Sequence, residues 1–156
     1  GVGRLAGGPS LPEWEVMGHG FRGGVRLGLT ICYDLRLPEI SRELAAEQAV
    51  NVFIVSAAWP FPRAEHQRIL ALARAIENLS YLVLANRPGT DNGLTFCGGS
   101  AIIDPSGAVL AAAPAEGEEL LTAELSRETL QTVRERMTVF AHRRSDLYGR
   151  GTARLL

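Results

Sequence analysis

The chain has 156 residues, 46% of them hydrophobic, which is enough for one domain with a sizeable core and too few for two ordinary ones. Its formal charge is -1, with acidic and basic residues mixed along the chain, so there is no basic stripe to track a nucleic-acid backbone and no acidic tail. No apolar run reaches the ~18 residues of a membrane span, and the two cysteines, Cys32 and Cys97, give neither a disulfide framework nor metal-ligand spacing, so a cytoplasmic protein with free thiols is expected.

The first residues (Gly1, Gly3, Gly7, Gly8) have no hydrophobic period and are a poor way to open a folded domain. The expectation is that the chain does not start where its gene does. From Val25 the sequence alternates Val25, Leu27, Leu29 and Ile31 against Arg26, Gly28 and Thr30, predicting a strand that buries the aliphatic set and ends at Cys32. Pro38 then stands where a first helical position tolerates a missing N–H, and Ile40, Leu44, Ala45 and Gln48 share one face of the helix that follows. Val52 to Ser56 is a continuous apolar run, as in a strand covered on both faces, and it leads into the loop Ala57-Ala58-Trp59-Pro60. A long helix is predicted from Arg63 to Leu79, with Ile69, Leu72, Ala73 and Ile76 inward and Arg74 and Glu77 as an exposed pair. Tyr81 to Ala85 reads as a third buried strand.

After Asn86 the character changes. Turn residues from Pro88 to Gly93 make a loop, followed by strands near Thr95–Cys97, Gly99–Ile103, Val109–Ala112 and Glu119–Ala123, with the turn Asp104-Pro105-Ser106-Gly107 among them. This predicts an antiparallel meander. Ser126 caps a helix with Leu130, Val133 and Met137 on its inner face, and the arginine-rich tail from Thr138 packs over a neighbouring surface or another subunit. Alternating β-α units followed by a meander define a mixed α/β layered fold.

The candidate chemistry centres on Cys32. A cysteine between a strand end and a helix start has backbone N–H groups and a positive helix terminus close by, which favour a thiolate and can hold an oxyanion. A cysteine that merely fills core space is the bland alternative. Asp34, Glu39 and Glu65 are candidate bases, but Glu39 suits a first helical turn and Glu65 suits a solvated pair with Arg63. His66 invites a Cys-His dyad with Cys32, although a locally bonded helix histidine is the more economical reading. Trp59, on a strand-end loop, fits either a pocket wall or an apolar lid. His19 and His142 have no evident partner, and Cys97 reads as a small buried hydrophobe. All sixteen basic residues are arginine, which rules out any mechanism that needs a lysine from this chain.

The run ICYDLRLPE, residues 31–39, resembles the nucleophile motif of the nitrilase superfamily of carbon-nitrogen hydrolases. Ser56-Ala57-Ala58-Trp59-Pro60, with Pro62-Arg63 and His66, resembles its omega-amidase-like branch. Ala73 to Asn78, Asn86 to Gly89, Gly98 to Ser100, Asp104 to Gly107 and Arg143 to Tyr148 agree in order and spacing, so the resemblance covers about Leu5 to Tyr148. It implies an α-β-β-α sandwich in which a cysteine works with a glutamate base and a lysine, often with a second glutamate. The thiolate attacks an amide or nitrile carbon to form a thioester or thioimidate, ammonia is expelled, and water releases the carboxylic acid. The resemblance gives Cys32 the role of nucleophile and makes the Tyr33 backbone N–H part of an oxyanion hole; Trp59, from its place on the strand-end loop, is the expected substrate-binding wall. It places the glutamates and lysine before the cysteine, so the chain is expected to be the C-terminal portion, residues 1–156, of a single hydrolase domain. The expected substrate is a small linear amide, with no metal or organic cofactor and with a homodimer as the assembly. A noncatalytic scaffold that retains only subunit-binding surfaces is the alternative.

Overall fold

A computed structural model of the chain describes residues 25–144 and 146–147. The Gly-rich opening, His19, the family-like stretch at 5–8 and Tyr148 lie outside the described residues. β1 (Leu27–Ile31) leads through a 3-10 turn (Cys32–Arg36) into α1 (Pro38–Ala46), then β2 (Val52–Ala57), α2 (Ala64–Asn78) and β3 (Tyr81–Asn86). A second 3-10 turn (Phe61–Arg63) precedes α2, and β4 (Pro88–Asp91), β5 (Leu94–Cys97), β6 (Ala101–Ile103), β7 (Val109–Ala112) and α3 (Arg127–Arg136) complete the described elements. The main sheet has the order β1-β2-β3-β6-β7, in which the first three strands run parallel and β6 and β7 antiparallel, while β4 and β5 form a separate hairpin.

The fold is thus mixed α/β, as the alternating elements predict. Parallel neighbours need a crossover, and α1 and α2 supply the two here. Both helices cover one face of the sheet, where Phe53, Val55, Leu82, Leu84 and Ile103 pack with Leu44, Ala45, Ala71 and Ala75 to form the main core. α3 lies on the other face, where Leu130 meets Val52 and Tyr81 beside Leu27, Ile54 and Val83. Ser126 caps it as expected, its hydroxyl accepting from Thr129 N–H at 3.1 Å. The Tyr81 hydroxyl donates to Ser126 C=O at 3.0 Å and accepts from Ser126 N–H at 3.1 Å, pinning the start of α3 to the sheet.

Several expected faces are different. In β1 the buried residues are Gly28 and Thr30, whereas Leu29 is 41% and Ile31 66% exposed. The helices sit on the Gly28 side, so close that a Cβ there would meet Val50, Leu44 and Phe53 at 3.0 to 3.3 Å. The aliphatic set faces the side that α3 covers only near Val52 and Tyr81. α2 is rotated in the same sense, with Gln67, Ala71, Arg74, Ala75 and Asn78 buried and Ile69 and Ile76 exposed. Two alanines let it lie close to the sheet; of its inward polar groups Arg74 reaches the turn after β1, Gln67 Oε1 accepts from Cys97 and Asn78 donates to Arg74 C=O, while Gln67 Nε2 and Asn78 Oδ1 are buried without a partner among the described residues. Arg74 and Glu77 do pair, at 2.9 Å, but the arginine is buried rather than exposed. On α3, Met137 falls at the C-cap and is exposed, so it is not an inner-face residue.

The predicted meander divides in two. Asn92 and Gly93, with φ of 49° and 79°, close the β4–β5 hairpin, while β6 returns to pair with β3. Residues 119–123 are not a strand, because among the described residues no neighbouring strand offers them a ladder. The predicted turn at 104–107 is present, with the Asp104 carboxylate accepting from Ser106 N–H, Ser106 Oγ and Ala108 N–H at 2.8, 2.8 and 2.9 Å. The tail docks on α1, where Arg42 stacks on Phe140 at 5.3 Å and Arg143 pairs with Glu47 at 3.6 Å.

Candidate active site

Cys32 follows the last residue of β1 and opens the turn into α1, half-buried at the strand's C-terminal end. Its φ is 42°, in the left-handed region that a side chain with a Cβ enters at a cost of about 1–2 kcal/mol. Neighbouring groups hold this bend. The Asp34 carboxylate, buried, accepts from Ile31 N–H at 2.7 Å, and Leu37 N–H donates to Asp34 C=O at 2.9 Å. Arg74 reaches from α2 to donate Nε–H to Leu35 C=O at 3.1 Å, with its other end on Glu77. Asn78 in turn donates to Arg74 C=O at 2.9 Å.

Trp59 lies beyond the end of β2, 2% exposed, with Nε1–H donating to Arg63 C=O at 2.9 Å. Its ring is covered by the Arg36 guanidinium at 4.4 Å, which also faces the Tyr33 ring at 5.9 Å. Arg36 therefore joins the turn after Cys32 to the loop after β2 through cation–π contact, which strengthens where water is excluded. Trp59 is packed beneath this cation, and the Tyr33 ring is exposed. Trp59 belongs to the main core, and Cys32 packs against that core from its edge.

A second polar cluster is built around Asn86 at the end of β3. Its side-chain Oδ1 accepts from Trp59 N–H at 2.8 Å, and its side-chain Nδ2 donates to Gly98 C=O at 2.6 Å and to Cys97 Sγ at 3.4 Å. The Cys97 thiol donates to Gln67 Oε1 at 3.2 Å. Burial pushes the Cys97 thiol up, against the Asn86 hydrogen bond, which lowers it. Cys97 is the buried residue the sequence predicts, but a hydrogen-bonded one.

The candidate bases stand as follows. Asp34 is committed to the Ile31 N–H. Glu39 is exposed in the first turn of α1. Glu65 is an exposed partner of Arg68 at 3.0 Å, not of Arg63. His66 is exposed on the first turn of α2 and has no hydrogen bond to Cys32 among the described residues. His142 is exposed, near Thr138 Oγ1 at 3.5 Å. Sequence reasoning missed Arg74, whose shared face with Gln67, Ala71 and Asn78 was the available signal. Among the described residues no group of three or more His, Cys, Asp or Glu could hold a metal ion, and no helix is long and apolar enough to cross a membrane.

Comparison with known proteins defines the class. A family profile described as carbon-nitrogen hydrolase matches residues 9–135, so the chain belongs to the carbon-nitrogen hydrolase family. It is 42% identical over 125 residues to a 2-oxoglutaramate amidase of Bacillus subtilis, a match covering 80% of this chain and 48% of that protein. Among solved structures, a CN-hydrolase superfamily protein of Xanthomonas campestris, with an arsenic adduct in its active site, aligns with a TM-score of 0.72 at 31% identity over 86% of this chain and 49% of its own. Carbon-nitrogen hydrolase from Helicobacter pylori G27 aligns with a TM-score of 0.74 at 27% identity, over 80% and 48%. The chain spans about half the length, or less, of the curated relatives it matches.

Proposed function

We propose that residues 1–156 are the C-terminal portion of an amidase that hydrolyses a small linear amide through Cys32. The carrying observation is the placement of this thiol on a left-handed bend at the mouth of α1, within a chain similar to 2-oxoglutaramate amidase. The thiolate attacks the amide carbon, and the developing oxyanion is held by N–H groups of the turn, Tyr33 among them. The C–N bond breaks as the nitrogen takes a proton and leaves as ammonia, forming a thioester. Water then adds to the thioester carbonyl, and carboxylate and thiol are released. Trp59, buried beneath Arg36, supports the turn after Cys32 from below and contributes to the substrate site through that packing.

No lysine is present to steady the thiolate and move a proton, and the guanidinium of Arg36 does not surrender its proton in the working pH range. The glutamate base and the lysine are therefore assigned to polypeptide preceding this chain, in the cytoplasm where thiols stay reduced. The exposed Ile69 and Ile76 stripe of α2 supports a homo-oligomer, which sedimentation would reveal. The second reading, a noncatalytic scaffold, draws on the absence of lysine and the uncovered sheet face.

The experiment measures ammonia release from succinamate by the chain alone, by the chain with its upstream coding segment, and by Cys32→Ala in both. Losing an oxyanion-type donor costs about 100-fold to 1,000-fold, and losing general acid–base catalysis a comparable factor. The chain alone should therefore be nearly inert and the extended protein active only with Cys32. Equal turnover by both would refute the missing-machinery argument, and an inert extended protein would favour the scaffold.

A further inference from the structure

We propose that Arg74 is a positioning residue for the Cys32 thiol, acting as the outer half of a clamp whose inner half is Asp34. This rests on the reading of Cys32 as nucleophile and extends it to a residue of α2 that touches no reacting atom.

The bend at Cys32 is local, unfavourable for a cysteine, and fixed from both sides of the thiol. On the N-terminal side the Asp34 carboxylate holds Ile31 N–H at 2.7 Å, which ties the last residue of β1 across the bend. On the C-terminal side Arg74 Nε–H holds Leu35 C=O at 3.1 Å, 39 residues away in sequence. Leu35 is buried, so without Arg74 its carbonyl would have no water to turn to. The Arg74 side chain is 5% exposed, and its far end, Nη1–H, donates to Glu77 Oε1 at 2.9 Å, separately from the Nε–H that holds Leu35. A cation taken out of water to bond one carbonyl of a turn is a costly way to dock a helix, since an apolar residue would pack there without desolvating a charge. The expense is explicable if the turn must be held in one geometry. Guanidinium suits that task because its fork fixes direction, which an ammonium does not.

The two ends of Arg74 separate positioning from helix stability. Glu77→Gln removes the ion pair and leaves Nε on Leu35. Arg74→Lys keeps a charge beside Glu77 and loses the fork. Arg74→Met removes both. In the protein extended by its upstream segment, Arg74→Met should lower kcat about 100-fold with KM within threefold, as expected when a reacting group is displaced by about 1 Å. Arg74→Lys should lower kcat at least tenfold while remaining folded by far-UV circular dichroism, and Glu77→Gln should stay within threefold of wild type. Alkylation of Cys32 by iodoacetamide in the 156-residue chain gives a readout without turnover, with buried Cys97 as internal control; Arg74→Lys should slow it and Glu77→Gln should not.

Wild-type kcat and alkylation in folded Arg74→Lys would overturn the proposal, as would a loss in Glu77→Gln equal to that in Arg74→Met, which would mean that Arg74 acts only by stabilising α2. Failure of the nucleophile reading is distinguishable, because Cys32→Ala would then retain turnover whatever Arg74 does.

Discussion

Asp34 sits two residues from the Cys32 thiol and would be chosen as a base on proximity alone, yet its carboxylate is occupied by a backbone N–H. Asp34→Ala should therefore destabilise the fold by about 1–3 kcal/mol, whereas Asp34→Asn, which keeps an acceptor oxygen, should cost less than about 1 kcal/mol; urea melts check both. At Gly98, with φ of 54°, an added Cβ would run into the backbone carbonyl of Ala115, which cannot yield like a side chain. Gly98→Ala should cost more than about 2 kcal/mol by the same measurement. Cys97 carries a pH dependence. Its thiol is pushed up by burial, with the Asn86 bond opposing, so its neutral form adds stability below the ordinary thiol value of about 8.5 and that stability is lost as pH rises through the folded value. Melting temperatures between pH 8 and 10 should fall, and fall less steeply in Cys97→Ala.

At the scale of elements, the strands and helices of the first half were legible because each rests on a local pattern. Pro38 opens α1, the run after Val52 forms a central strand, and the alternation before Cys32 ends where the strand does. Which face each element buries was not legible, since alternation and helical period name two sides without saying where the neighbours are. Leu27, Leu29 and Ile31 are the larger apolar set, but Gly28 is the residue that lets α1 come close. Residues 119–123 fail for a related reason, because a strand exists only with a partner. The hairpin turn at Asn92-Gly93 carried a readable signal, an Asn-Gly pair between two extended runs. For α3 the Tyr81–Ser126 bonds predict that Tyr81→Phe loosens the helix by about 1 kcal/mol and that Ser126→Ala, which loses the cap, costs a similar amount. Hydrogen exchange in residues 127–136 should rise in both.

For the molecule as a whole, the sheet is covered unequally. Among the described residues two helices seal one face, while on the other α3 covers only the end that carries Val52 and Tyr81, leaving Leu29 and Ile31 of β1, the outermost described strand on that side, exposed. Such a surface favours association. Leu29→Thr should reduce self-association of the 156-residue chain in sedimentation velocity with a stability change within about 0.5 kcal/mol. The strained bend at Cys32 has a different consequence. Glycine enters a φ of 42° freely, so Cys32→Gly should be more stable than Cys32→Ala by about 1 kcal/mol. The backbone at this position therefore suits glycine better than any residue with a Cβ, and a Cys32→Gly chain more stable than Cys32→Ala would be the thermodynamic trace of that mismatch.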